Sequence, residues 1–296
     1  MKPADFVSVH GGHSGEFCNH AQDLLEDIII AYIKAGFVWV GVTEHIPPPD
    51  DRFLYEDQKA AGLNADLLYV RFGRYMSRCR YLQAKYSDSI KILAGFETET
   101  CNGSEAFVRK LIAEFRPDYI VGSVHHVNDI AYDCTPAEYE QAAASAGGTD
   151  ALFCRYFDLQ YEMINALHPA VVGHFDLIRI FDPDYRARIE KPMIWERIER
   201  NLQCVRSLDL ILDFNLRSLA KGASEPYISL PILRRASALG IAVVPGDDSH
   251  SAESVGLNME KGIEILQSLG FDTRWRMPKT FQPSATYKHP FLHSGQ

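Results

Sequence analysis

Phe6-Val-Ser-Val-His10-Gly-Gly-His13-Ser-Gly-Glu-Phe-Cys-Asn-His20 is an apolar run that leads directly into three imidazoles. Phe6 to Val9 reads as a β-strand, because β-branched and aromatic side chains suit a buried pleated surface. Neutral imidazole offers a nitrogen lone pair at ordinary pH and suits zinc, iron and manganese, so histidines gathered at a strand end mark a candidate metal site. One such cluster is equally compatible with three unrelated histidines. The two readings separate on whether similar donors recur at later strand ends.

They recur along the chain. Asp23 to Ala35 places Leu24, Leu25, Ile28, Ile29, Tyr32 and Ile33 at helical spacing and stops at Gly36. Phe37-Val-Trp-Val-Gly-Val42 is the nearly continuous apolar strand of a sheet buried on both faces, and Thr43-Glu-His45 follows it. Pro47, Pro48 and Pro49 open a polar loop to about Asn64, and a helix over 66–86 carries Arg71, Arg74, Arg78 and Lys85 as a solvated face. Ile90 to Phe96 is a third strand, followed by Glu97-Thr-Glu99. After a helix over 104–115, Tyr119 to Val124 forms a fourth strand that ends in His125-His126. Residues 128–150 read as an insertion with a short helix, and 150–167 as a longer helix. Val171-Val-Gly-His174 is a fifth strand with Asp176 and Arg179 behind it. Pro192 starts a helix whose apolar side is Ile194, Ile198, Leu202 and Val205. Leu210 to Phe214 is the sixth strand, leading to Asn215 and Arg217. A helix over 231–239 then brings the chain to the seventh, Ile241 to Val244, and to Gly246-Asp-Asp-Ser-His250.

Strands alternating with helices imply parallel pairing through right-handed crossovers. An open doubly wound sheet gathers its site at one switch point, whereas a closed barrel draws on the C-terminal ends of all its strands. Polar residues follow all seven strands, which predicts a closed α/β barrel with its site at those ends. No linker, repeat or low-complexity tract divides the chain, so a single domain over 1–296 is expected, with the tail from about Thr280 loosely ordered.

A composition of 46% hydrophobic and 23% charged residues supports a soluble globular chain with a sizeable core, and a net charge of −9 disfavours a broad nucleic-acid surface. No run approaches the ~18 apolar residues of a membrane span. The start Met1-Lys-Pro-Ala-Asp5 lacks the apolar core of a secretory signal, so a cytoplasmic protein with no membrane partner is expected. The six cysteines are scattered without a Cys-x-x-Cys pair and read as buried thiols in a reducing compartment. Cys18 falls inside the histidine cluster and is read as packing.

The strand-end donors are His10, His13, His20, His45, Glu97, His125, His174, Asp248 and His250, which include seven of the eleven histidines. Nine donors suffice for about three metal ions at about three protein ligands each. The pattern resembles the polymerase-and-histidinol-phosphatase (PHP) superfamily. The resemblance rests on the histidine pair of strand one, Thr43-Glu-His45, Gly95-Phe-Glu97, Gly122-Ser-Val-His125, Gly173-His-Phe-Asp176 and Asp248-Ser-His250. His13-Ser-Gly-Glu-Phe17 with His20, Gly173-His-Phe-Asp-Leu-Ile-Arg179, and Phe214-Asn-Leu-Arg217 with Glu225-Pro-Tyr227 are similar to its histidinol-phosphate phosphatases.

The resemblance implies a distorted (β/α)7 barrel, TIM-like, holding a trinuclear centre of divalent transition metals, zinc, manganese or iron. It implies hydrolysis of a small phosphate monoester by a metal-bridging hydroxide, the substrate being L-histidinol phosphate and the setting histidine biosynthesis. One metal falls to His10, His13, Glu97 and Asp248, and Glu97 bridges to a second bound also by His125 and His174. The third falls to His20, His45 and His250. Arg179 and Arg217 resemble the family's phosphate-contacting arginines, with Lys221 a competitor for the second. Asp248 or a metal-bound water is left to return a proton to the leaving alkoxide. Glu44 is expected to orient a neighbour or contact substrate, Glu99 to meet a substrate ammonium, His126 to pack, and Asp247 to support a ligand or a turn. Two other functions compete: a phosphoesterase of the same superfamily acting on nucleotides or DNA ends, and a non-catalytic metal-binding regulator. The family usually has His-x-His in strand one, whereas this chain has His10-Gly-Gly-His13. Residues three apart do not share a strand face, so the glycine pair is expected to form a bulge that turns His10 inward.

Overall fold

The computed structural model describes residues 4–281. Seven strands pair in chain order as one parallel sheet: Phe6–Gly11, Phe37–His45, Lys91–Glu97, Tyr119–Gly122, Val171–Val172, Ile211–Asn215 and Ala242–Gly246. The first and seventh strands share no ladder, yet their ends are joined where Asp248 N donates to His10 O at 2.9 Å. This is the distorted (β/α)7 barrel. Alternation along the strands sorts the core into two parts. Val7, Val9, Trp39, Leu93, Tyr119, Val121, Val171, Ile211 and Val244 fill the interior, and the opposite face packs against the helices. Tyr119 crosses the interior so closely over Gly41 that a Cβ there would lie 1.7 Å from its hydroxyl, which donates to Val9 O at 2.6 Å.

The helices follow from their apolar spacing and caps. Ala65–Lys85 buries Leu68, Phe72, Tyr75, Met76, Cys79 and Leu82, and Asn64 caps it by accepting from Leu67 N at 2.8 Å. Pro192–Ser207 buries Ile194, Ile198, Leu202 and Val205, the side expected from spacing. The fourth strand stops at Gly122, two residues short of the expectation, because the chain turns into an antiparallel hairpin, His126–Val127 with Ile130–Ala131. The proline loop holds a short helix, Glu56–Ala60, and Met259–Ser268 packs outside the seventh strand; periodicity had marked neither. No described helix is long and apolar enough to cross a membrane. The tail expected to be loosely ordered lies, beyond Phe281, outside the described residues.

Candidate metal centre

Strand alternation determines which donors face one another. Trp39, Gly41, Thr43 and His45 lie on the inner face of the second strand, and Leu93, Gly95 and Glu97 on that of the third, so His45 and Glu97 emerge side by side at the C-terminal rim. In the first strand Val7 and Val9 face inward, so a regular strand would send His10 out. The ladder to the second strand steps from Ser8 opposite Val40 to Gly11 opposite Val42, three residues against two. That extra residue is a bulge just before the glycine pair, one or two positions earlier than the expected place, and it turns His10 inward. Gly12 then takes φ +63°, which lets the chain swing round to His13.

Glu97, 1% exposed, sits at the centre. Its Oε1 lies 2.8 Å from His174 Nε2 and 3.1 Å from His125 Nε2, and its Oε2 lies 3.3 Å from both His10 Nε2 and His45 Nδ1. His13 Nε2 is 3.2 Å from Asp248 Oδ1. The His13 ring stacks on His250 with centroids 4.2 Å apart and stands 4.7 Å from His45. His20 is half-exposed and stacks on His250 at 5.0 Å, with Cys18 Sγ 3.3 Å from its ring nitrogens. The nine strand-end donors therefore converge on one rim, with His20 at its outer edge.

Behind the imidazoles stands a second row of carboxylates. His10 Nδ1 pairs with Asp213 at 2.9 Å, His13 Nδ1 with Glu44 at 2.9 Å, and His125 Nδ1 with Asp133 at 2.9 Å. Each pairing has Nδ1–H donate to a carboxylate and turns the Nε2 edge toward the centre. Sequence reasoning missed Asp213 and Asp133. The signal for Asp213 was a carboxylate inside the apolar run Ile211-Leu-Asp-Phe214; Asp133, in the insertion, had none. Glu44 has its oxygens taken by His13, Ser14 N at 3.3 Å and His45 N at 3.2 Å, the geometry of an orienting group rather than a substrate contact. Asp247 supports the turn, accepting from Ser8 Oγ at 2.6 Å, Tyr32 at 2.7 Å and Gly256 N at 3.0 Å. Asp248 itself sits at φ +45°, an uncommon conformation for a residue with a side chain, at the point where the barrel closes.

The two arginines differ in setting. Arg217 Nη1 donates to Asp248 O at 2.9 Å and lies 2.5 Å from His250 Nδ1, at the rim. Arg179, for which the sequence disclosed no partner, is buried: its Nη2 donates to Glu225 O at 3.1 Å and Pro226 O at 2.7 Å, and Nε is 3.3 Å from Asp176. Its guanidinium lies over Tyr185 and Tyr227, 4.8 and 4.4 Å from the ring centroids.

The electrostatics fit divalent cations. Burial works against charge on Glu97, yet His10, His125 and His45 hold it well below the usual carboxylate range. Burial likewise pushes the His13 imidazole down, but Glu44 and Asp248 outweigh it and raise it to about 9. His250, buried beside His13, is held well below its ordinary value and is neutral. Protons on the imidazoles thus balance the carboxylates, a charge that metal ions would otherwise carry. Among the described residues His10 Nε2, His13 Nε2 and His45 Nδ1 are buried and find no hydrogen-bond partner, which a coordinated cation would satisfy. Trios whose donor atoms lie within 4.8 Å of one another include His10, His13 and Glu97; His13, His45 and His250; and Cys18, His20 and His250.

Comparison with known proteins agrees with this geometry. The PHP domain family model matches residues 11–217. The probable histidinol-phosphatase of Schizosaccharomyces pombe is 36% identical over 89% of this chain and 87% of its own length. The histidinol-phosphatase of Saccharomyces cerevisiae is 28% identical over 87% and 88%. Among solved structures, hisK of Listeria monocytogenes superposes with a TM-score of 0.75 at 23% identity, over 86% of this chain and 99% of that one. The Lactococcus lactis histidinol phosphate phosphatase, complexed with zinc, L-histidinol and phosphate, gives 0.67 at 22%, over 90% and 94%.

Proposed function

The chain belongs to the PHP domain family, and from that premise we propose that it hydrolyses L-histidinol phosphate to L-histidinol and phosphate, a step of histidine biosynthesis. The observation that carries this is the Glu97 carboxylate set among His10, His45, His125 and His174 at 2.8–3.3 Å, with ring nitrogens left unpaired. Relatives named histidinol-phosphatase over nearly their whole length support the choice of substrate.

Divalent metal ions are the cofactor class that such a cage fits. In our assignment there are about three, drawn from zinc, manganese and iron. His10, His13, Glu97 and Asp248 would hold one, Glu97 with His125 and His174 a second, and His20, His45 and His250 the third. Bound there, divalent ions polarise phosphate oxygens and bring the pKa of water toward ~7, so that a nucleophile is available at neutral pH. The chain supplies the rest. Glu44, Asp213 and Asp133 fix the tautomers of His13, His10 and His125. Arg217 at the rim, with Arg179 behind it, offers always-charged donors to the phosphate oxygens as charge builds in the transition state. In our assignment Asp248, whose Oδ2 accepts from Asn215 Nδ2 at 3.1 Å, passes a proton from the attacking water to the leaving alkoxide. In our assignment Glu99 takes the ammonium of the leaving group. The whole chain, 1–296, acts as one phosphoesterase domain. All six cysteines are free, which fits a reducing compartment such as the cytoplasm.

The test is phosphate release from L-histidinol phosphate, AMP and a single-stranded oligonucleotide by one metal-loaded preparation. Preferential release from histidinol phosphate is expected. Equal or faster release from either nucleic-acid substrate overturns the assignment.

A further inference from the structure

The barrel closes without a ladder between its first and seventh strands, and the ion assigned to His10, His13, Glu97 and Asp248 draws ligands from both sides of that seam. His10 and His13 stand at the end of the first strand, and Asp248 lies just beyond the seventh. Any slip of one strand past the other therefore changes the cage. Three backbone groups bridge the seam: Asp247 N donates to Ser8 Oγ at 3.1 Å, Asp248 N to His10 O at 2.9 Å, and His13 N to Ser249 O at 2.8 Å. A parallel ladder would space its bonds evenly between backbone groups. Here the spacing is uneven and one bond ends on a side chain, so the register must be held by something else.

That something is a knot of buried hydroxyls around Asp247. Ser8, Tyr32, Asp247 and Ser249 are all buried. Asp247 Oδ1 accepts from Ser8 Oγ at 2.6 Å and from the Tyr32 hydroxyl at 2.7 Å, which also lies 2.9 Å from Ser249 Oγ; Oδ2 accepts from Gly256 N at 3.0 Å. Ser8 belongs to the first strand, Tyr32 to the helix Leu25–Lys34, and Asp247 and Ser249 flank Asp248. Hydrogen bonds to a buried carboxylate are strong and directional, so one side chain ties three elements in a single geometry. Gly11 belongs to the same arrangement. A Cβ on it would lie 2.5 Å from the Tyr32 hydroxyl, 2.8 Å from Ser8 Oγ and 3.1 Å from Asp247 Oδ1, so the knot fills the space of a side chain. Resting on the metal assignment above and going beyond it, we propose that Ser8, Tyr32 and Asp247 form a clasp across the open seam and are positioning residues for the ion held by His10, His13 and Asp248. Gly11 is glycine to leave that clasp its space, which is why the first strand carries His10-Gly-Gly-His13. The clasp acts through backbone: Ser8 steadies the run into His10, and Asp247 the turn that carries Asp248.

Ser8→Ala and Tyr32→Phe each take one hydroxyl from Asp247 and leave every assigned ligand in place. For both variants and wild type, metal equivalents per chain are followed through a chelator titration. The unfolding midpoint of metal-free protein and phosphate release from histidinol phosphate at limiting and at excess metal are measured beside it. The expected result is that each variant gives up one equivalent at about tenfold lower chelator concentration while the others hold as in wild type. Phosphate release should fall at limiting metal and return toward the wild-type rate at excess. Hydroxyls with a merely structural role would lower the unfolding midpoint and leave the chelator titration unchanged. That outcome in both variants overturns the inference, and so does an equal weakening of all equivalents. Wild-type protein that holds its metals but is inactive on histidinol phosphate overturns the proposed function instead, and the chelator titration still decides the clasp.

Discussion

At His10 a single imidazole touches carboxylates from two strands, Glu97 through Nε2 at 3.3 Å and Asp213 through Nδ1 at 2.9 Å. If Nε2 ligates metal, His10→Ala should lower metal stoichiometry as much as His13→Ala does, by elemental analysis of protein purified without chelator. Asp213→Asn should keep the ligand count but weaken metal affinity about 10- to 100-fold, because the imidazole loses its orienting carboxylate. Near-normal metal content in His10→Ala would return that residue to a packing role. The arginines should separate by readout. Arg217→Ala should cost about 2 kcal/mol or more in transition-state stabilisation, with folding stability little changed. Arg179→Ala strips the cation from buried Asp176 and uncovers two tyrosine faces, so it should also lose about 3 kcal/mol in urea unfolding. Equal unfolding midpoints for the two variants would contradict that division.

Among the elements, the first strand shows how a local irregularity serves the site. The pattern His10-Gly-Gly-His13 announced that something must depart from a regular strand, and it did; the extra residue falls between Ser8 and Gly11, where a Cβ on Gly11 would lie 2.5 Å from the Tyr32 hydroxyl. No alternation rule could place it, since a bulge is set by what packs behind it. The second strand carries the tightest contact, Gly41 under Tyr119. Gly41→Ala forces the tyrosine aside and breaks its bond to Val9 O, so a loss of about 3 kcal/mol or more is expected in denaturant titration. An alanine variant of wild-type stability would mean that Tyr119 has room the packing does not suggest.

For the whole molecule, the balance of buried charge ties stability to metal and pH. In metal-free protein the His13 imidazole holds its proton up to about 9, above the ~6.5 of an unfolded histidine. Its contribution to stability is therefore full below ~6.5 and is lost as pH rises through about 9. Chelated protein should lose thermal stability over that window while metal-loaded protein does not, and metal uptake at neutral pH should release protons, measurable by calorimetry in buffers of different ionisation heat. Chelated and loaded protein with parallel pH profiles would show that His13 is not where the charge is exchanged. Much of this architecture was legible from one dimension. Short, nearly continuous apolar runs with helices between them determined seven parallel strands, and their polar ends identified the rim where His10, His45, Glu97, His125, His174 and Asp248 meet. Those features are local, fixed by spacing along the chain. The partnership of Asp213 with His10 and the burial of Arg179 between two tyrosines were decided only by closure of the barrel. Each joins residues from separate elements, and a hydrogen bond across a barrel depends on distances that spacing along the chain does not contain.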